Sequence, residues 1–231
     1  METTLIIADD HPIVRSGLRR LLEGSRVQVL AEVETADQAV ERTVALRPRV
    51  LLLDVRLGDD DGFSVLEKVR DRAPDVAVVV ISAFAETTYM ARALVWGAVD
   101  YLLKDCTTAE LTETIERATR HEPPGPRSLL ASMRALMRTI PDHNGSIPEI
   151  SPREAQVLRH LGLGLSNREI GLSLGIAVDT VKEHAYKAMR KLSLRDRTEA
   201  AVWVVKQGWL DDLLNVADAS TSAPSPVKRS P

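Results

Sequence analysis

Five short apolar runs limit what the first 120 residues can become. They are TLIIAD (4–9), VQVLAEV (27–33), VLLLD (50–54), VAVVVIS (76–82) and VDYLL (99–103). Such runs suit strands buried on both faces. The segments between them carry helical spacing. In 12–24, Ile13, Val14, Leu18, Leu21 and Leu22 fall on one stripe, and in 62–73 Phe63, Val65, Leu66 and Val69 do the same. Strands alternating with helices imply a parallel sheet covered on both sides, an α/β doubly wound five-stranded fold over residues 1–120.

The alternation stops at HEPPGPRS (121–128), whose prolines and glycine break any helix. A short helical stretch (128–139) and a turn-rich segment, PDHNGSIPE (141–149), follow, so 121–149 reads as a linker with one helix inside it. Residues 150–212 show no strand pattern and have the spacing of three or four short helices, a small all-α domain. The tail, 213–231, is small, polar and proline-rich, and is expected to be disordered.

Net charge is −3, but it is unevenly spread: 151–210 holds ten Lys/Arg and six Asp/Glu. An acidic module is therefore joined to a basic one. A single cysteine, Cys106, excludes an internal disulfide framework and any multi-Cys metal site, and suits a reducing compartment. No apolar run is long enough to span a membrane and no secretory signal is visible. The expectation is a cytoplasmic protein with no membrane partner.

In an open parallel sheet, ligands bind beyond the carboxyl ends of the strands. At those ends lie Asp9 and Asp10, then Asp54, then Ser82, and finally Lys104. Three carboxylates make a hard oxygen site for Mg²⁺. A carboxylate also accepts a phosphoryl group, whose charge a metal and a lysine neutralise while a hydroxyl holds one of its oxygens. Turns favour Asp and Ser after strands in any case, a reading that serves any one of these residues better than all five together.

The set ADDH, LLLD, VISA and YLLKD, in this order over about residues 3–120, resembles the receiver domain of bacterial response regulators, a flavodoxin-like fold. The resemblance implies that Asp54 is the phosphoacceptor, that Ser82 and Lys104 bind the phosphoryl group, and that Asp9, Asp10, Asp54 and the backbone carbonyl of Arg56 hold Mg²⁺. It makes Tyr101 the aromatic switch; a plain core aromatic near a strand end is the alternative. One departure is Gly58, four residues after the acceptor, where the family usually has proline. Asp59, Asp60 and Asp61 are assigned to a solvated loop, with Asp60 or Asp61 favouring the next helix through its charge. His11, beside the acidic pair, reads as a surface residue opening the first helix rather than a metal ligand. Cys106 reads as a small packing residue.

The basic module begins SPREAQVL, in which Ser151, Pro152 and Glu154 have the spacing of a capping box. A second cap at Ser166, a short helix, a glycine turn at Gly175 and a longer helix from about Asp179 give a helix–turn–helix. In the long helix Val181, Ala185, Ala188, Met189 and Leu192 point inward, leaving Lys182, Glu183, Tyr186, Lys187 and Arg190 outside. Such a face suits a major groove, although a small bundle with an ordinary charged face has the same pattern. Residues 151–201 are similar to the LuxR-type DNA-binding domain, above all in LSNREI, TVKEH and KLSLRDRTEA. That likeness assigns Lys182 to DNA and Thr180 to the start of the recognition helix. Glu183 either reads a cytosine amine or rejects wrong sites. The last helix, 197–208, is apolar nearly all round, as if buried on one side by its own domain and on the other by a second subunit.

A receiver joined to a LuxR-type domain resembles the NarL/FixJ class of response regulators. The expected function is DNA-binding transcription regulation, not an enzyme. Its partners would be a sensor histidine kinase that phosphorylates Asp54, double-stranded operator DNA, and a second copy of the chain when phosphorylated. Two rivals stay open: a DNA-binding regulator whose receiver serves only for dimerisation, and an aspartate-nucleophile phosphatase. The second fits poorly with ADDHP at the end of the first strand and leaves the basic module unexplained.

Overall fold

The computed structural model describes residues 3–58, 60–140 and 148–210. The expected disordered tail, most of the turn-rich segment 141–149, and the side-chain roles of Asp59, Asp60 and Asp61 lie outside the described residues. The chain divides into two units, 1–139 and 140–231.

In chain order the first unit comprises β1 (Thr3–Ala8), α1 (Pro12–Leu22), β2 (Val27–Val33), α2 (Ala36–Leu46), β3 (Val50–Asp54), the short strands β4 (Arg56–Leu57) and β5 (Asp60–Asp61), α3 (Gly62–Arg72), β6 (Ala77–Ser82), α4 (Thr87–Val95), β7 (Asp100–Leu103), α5 (Thr108–Thr119) and α6 (Leu129–Thr139). The main sheet runs β2-β1-β3-β6-β7 and every pair in it is parallel. β4 and β5 form a separate antiparallel ribbon immediately after β3.

Burial explains why the strands were readable. Every residue of β3 and β6 is buried, so those runs carry no polar alternation until their final Asp54 and Ser82. β2, at the sheet edge, alternates between half-buried and exposed positions over its first half. Leu5, Ile7, Leu52, Val79 and Ile81 form one core with Leu18 and Leu22 of α1 and Leu111 and Ile115 of α5. The expected stripe on α1 is corrected here. Ile13 is 85% exposed and Leu21 is also exposed. Val14, Leu18 and Leu22 stand four residues apart on one line. Going round the helix from Leu18 at about 100° per residue, Ile13 lies about 140° away and Leu21 about 60° away on the same side, off the centre of so narrow a face.

Residues 129–139 are also more than a linker. Their α6 packs on α4 and β7 within the first unit, burying Leu130 and Met133. Its entrance is fixed by Ser128, whose Oγ accepts from the Leu130 and Ala131 backbone N–H groups and donates to Asp100 Oδ1 at the start of β7. The Tyr101 N–H donates to the same carboxylate at 2.8 Å. Burial raises the Asp100 carboxyl above its ordinary 3.8, against the Ser128 hydroxyl, the Tyr101 N–H and the charge of Arg117. A carboxyl whose folded pKa exceeds its unfolded one keeps its proton longer in the folded state. Stability is therefore lost as pH rises from the unfolded value through the folded one. Asp100→Asn keeps an acceptor oxygen and removes the charge. Its melting temperature should exceed that of the parent at pH 7, and the gap should narrow as pH falls toward 4. A lower melting temperature at pH 7 would mean that the attraction of Arg117 outweighs the burial.

The second unit comprises α7 (Pro152–Gly162), α8 (Asn167–Leu174), α9 (Val178–Lys191) and α10 (Arg197–Lys206). Capping boxes open α7 at Ser151/Glu154 and α8 at Ser166/Glu169. Gly175 ends α8 in the left-handed conformation at φ 65°. α7 packs on α9 and α10, and α8 on α9. Gly162 permits a close approach of α7 and α10: a Cβ there would lie 2.6 Å from Val204 Cγ1. Ala200 to Val205 of α10 are all buried, and Trp203 meets Trp209 edge-on with centroids 4.9 Å apart.

Candidate functional site

Parallel strands with crossovers on both faces bring their carboxyl ends to one rim, and the strand order reverses around β1 and β3. Asp9 follows β1 directly and is fully buried. Its Oδ1 accepts the His11 N–H at 2.9 Å and its backbone carbonyl accepts Arg15 Nη1 at 2.6 Å. Asp54 ends β3 and is 6% exposed. Lys104, just past β7, donates its own N–H to the Ser82 carbonyl at the end of β6. Its ammonium lies 2.7 Å from Asp9 Oδ2 and 2.7 Å from Asp54 Oδ2. Asp10, Asp54, Ser82 and Lys104 line an open cavity of about 410 Å³ together with Arg56 and Gly58.

Burial raises the Asp54 carboxyl, and the proximity of Asp9 adds to this. The hydrogen bond and charge of Lys104 and the Arg56 N–H oppose it. Burial alone would pull the Lys104 ammonium down, but its bonds to Asp54 and Asp9 more than offset that and hold it above its ordinary value. One ammonium is thus shared by two crowded carboxylates. Asp9, Asp10, His11 and Asp54 each offer a ligand atom within 4.8 Å of the others. Asp9 Oδ2 is met by the Lys104 ammonium and Asp10 Oδ1 by the His11 imidazole. Carboxylate oxygens so placed fit a hard divalent cation.

Tyr101 is buried in β7. Its hydroxyl donates to the Phe84 carbonyl at 2.8 Å. Burial pushes that phenol up to about 12, against a hydrogen bond with the Ser82 side chain. Tyr101 is therefore linked to the rim through Ser82.

In the second unit, Lys182, Glu183, Tyr186, Lys187 and Arg190 are all exposed on α9, while Val181, Ala185, Ala188 and Leu192 are buried beneath them. Met189 and Thr180 are half-buried. α9 begins at Val178, so Thr180 sits inside its first turn. Two ion pairs tie the exposed face to itself: Lys182 Nζ to Asp179 at 2.9 Å and Lys187 Nζ to Glu183 at 2.6 Å. The far end of α9 is anchored by Lys191, which reaches the buried Glu154 of the α7 capping box at 2.7 Å.

Residues 5–116 match the family described as the response regulator receiver domain, and residues 148–204 match the luxR family of bacterial regulatory proteins. The nitrate/nitrite response regulator protein NarL of Escherichia coli (strain K12) is 32% identical over 206 residues, covering 87% of this chain and 94% of that protein. The transcriptional regulatory protein LnrK of Bacillus subtilis (strain 168) is 32% identical over 213 residues, covering 88% and 97%. The chain is a response regulator of the NarL/FixJ class. A solved structure of the two-component response regulator RcsB with DNA has the same fold, with a TM-score of 0.61 at 22% identity over 88% of this chain and 98% of that one. A receiver joined to a LuxR-type domain makes this response regulator a transcription regulator.

The rim of the response regulator gathers Asp9, Asp10, Asp54, Ser82 and Lys104, the residues singled out from the strand ends. Cys106 packs partly buried against the sheet core. Three features of the rim lay beyond the sequence. His11 is 66% exposed, yet its Nδ1 is against Asp10 Oδ1. Gly58 donates its N–H to Asp10 Oδ2 at 3.1 Å. Gly62, the first residue of α3, donates to the Val55 carbonyl at 2.8 Å and lies so close behind the end of β3 that a Cβ would stand 2.2 Å from the Asp54 carbonyl oxygen. Only a glycine between the acidic run and the helix hinted at this. Backbone cannot retreat as a side chain end can, so Gly62→Ala should displace the end of β3. Overpacking of this kind costs about 1–3 kcal/mol, to be read by chemical denaturation. A fully stable variant would show that the 55–62 turn yields easily.

Proposed function

We propose that this transcription regulator is switched by phosphorylation of Asp54 by a sensor histidine kinase, and that the switch governs dimerisation and binding to double-stranded DNA. The observation that carries the reading is the sharing of one ammonium, Lys104, between Asp54 and Asp9 at the end of a buried strand, beside the Ser82 hydroxyl.

In this reading an Asp54 carboxylate oxygen attacks phosphorus. A P–O bond forms, the bond from phosphorus to the donor nitrogen breaks, and the departing imidazole takes its electron pair. Burial leaves that carboxylate poorly solvated, which favours its use as a nucleophile. Lys104 moves from the carboxylate to a phosphoryl oxygen and keeps the charge compensated. Ser82 donates its hydroxyl to another oxygen. Asp9, Asp10, Asp54 and the backbone carbonyl of Arg56 would hold Mg²⁺, which supplies charge neutralisation on the transferring group. Once Ser82 turns to the phosphoryl group, the Tyr101 hydroxyl loses that neighbour, making Tyr101 the first residue beyond the rim to register the change.

On α9, Lys182, Lys187 and Arg190 meet phosphates while Glu183 and Tyr186 reach base edges, with Thr180 beside the backbone at the helix start. The test is selection from a random DNA pool with the full chain, with and without a small phosphodonor and Mg²⁺. A defined site should be enriched, and more strongly with the donor. Equal enrichment under both conditions would mean that DNA binding is independent of phosphorylation.

A further inference from the structure

We infer that Gly58 is a positioning residue for Asp10: its backbone N–H fixes the carboxylate so that the rim holds a divalent cation. The inference rests on the metal assignment under the proposed function. Gly58 lies directly after β4.

Gly58 has φ +64°, and its N–H donates to Asp10 Oδ2 at 3.1 Å across 48 residues of sequence. A Cβ at this position would meet nothing within 4 Å, so space is not what calls for glycine here. The left-handed backbone is. That conformation turns the N–H toward Asp10. The other oxygen, Oδ1, has no backbone donor and stands against His11. Asp10 differs in this from Asp9, which is fully buried and held by the His11 N–H and Lys104. The side chain of Asp10 is 27% exposed, and among the described residues no lysine or arginine is paired with it. Its orientation then depends on the Gly58 N–H and the imidazole of an exposed histidine. A partner that orients a metal-binding carboxylate typically changes metal affinity by 10–100-fold when removed.

Two substitutions separate the N–H from the loop. Gly58→Pro removes the donor, and its ring excludes a positive φ. Gly58→Asn keeps the donor and tolerates the left-handed region better than other residues with a side chain. Mg²⁺ affinity is measured by calorimetry on the unphosphorylated full chain, with no phosphodonor present. Parent and Gly58→Asn should bind within about threefold of one another, and Gly58→Pro about tenfold more weakly. A second measurement stands if Gly58→Pro fails to fold: hydrogen exchange of the Gly58 amide in the parent, which should quicken at least several-fold in Asp10→Ala. Equal Mg²⁺ affinity in the parent and Gly58→Pro would overturn the role of Gly58 while leaving the metal site standing. So would a Gly58→Asn variant as weak as Gly58→Pro, or an exchange rate indifferent to Asp10. A parent chain that binds no Mg²⁺ would overturn the metal assignment itself, and this inference with it.

Discussion

Asp54→Asn is expected to take up no phosphoryl group from a small phosphodonor in Mg²⁺, where the parent gains one. The label on the parent should be stable in acid and labile in base, as an acyl phosphate is. The loss should be complete rather than partial, because the reacting atom itself is replaced. An amide oxygen has neither the charge nor the basicity of the carboxylate that Lys104 holds at 2.7 Å. Neighbouring carboxylates cannot substitute. Asp9 is fully buried, with one oxygen engaged by the His11 N–H and the other by Lys104. Asp10 faces Gly58 and His11. Asp60→Asn is the control, and it should label like the parent. Mapping the label to Asp60 or to a serine would show that the acceptor is misassigned. The variant should still fold, because an asparagine oxygen can accept from Lys104 and one charge leaves a crowded acidic cluster.

The rim was legible because strands buried on both faces read as unbroken apolar runs, and a run that ends abruptly in Asp54 or Ser82 marks its own carboxyl end. Parallel topology did the rest, since it brings every such end to one side. What could not be read depends on backbone conformation or on contacts between distant residues. The donation from Gly58 to Asp10 needs a positive φ that glycine permits but does not announce. The docking of α6 depends on Ser128 meeting Asp100, which lies 28 residues earlier. A proline-rich break before a helix looks the same whether the helix docks or swings free. The pairing of Lys191 with Glu154 ties the end of one helix to the cap of another across 37 residues. On α1, apolar composition suggested a broad stripe, whereas geometry leaves Ile13 and Leu21 outside the line of Val14, Leu18 and Leu22.

On α9 the two neighbours Lys182 and Glu183 should respond to alanine in opposite ways, because each is paired within its own helix. Lys182 is held by Asp179 at 2.9 Å and Lys187 by Glu183 at 2.6 Å, all of them well exposed. Such surface pairs are weak and break readily when a phosphate offers itself. Lys182→Ala removes a cation that, in the proposed reading, meets the DNA backbone. Binding should weaken on every sequence, and the slope of log K against log salt should become shallower by about one unit. Glu183→Ala removes a carboxylate that phosphate repels and frees the Lys187 ammonium it occupied. Nonspecific binding should become equal or tighter, and the salt slope should become steeper rather than shallower. At the selected site the same variant should lose about 1–3 kcal/mol of discrimination at one base pair, the worth of a good base contact. Titration at several salt concentrations on the selected site and on each single-base variant reads all of these effects together. If Glu183→Ala instead lost affinity uniformly, with no change in preference or in salt slope, Glu183 would serve only the helix. The exposed face of α9 would then not be the one that enters the groove.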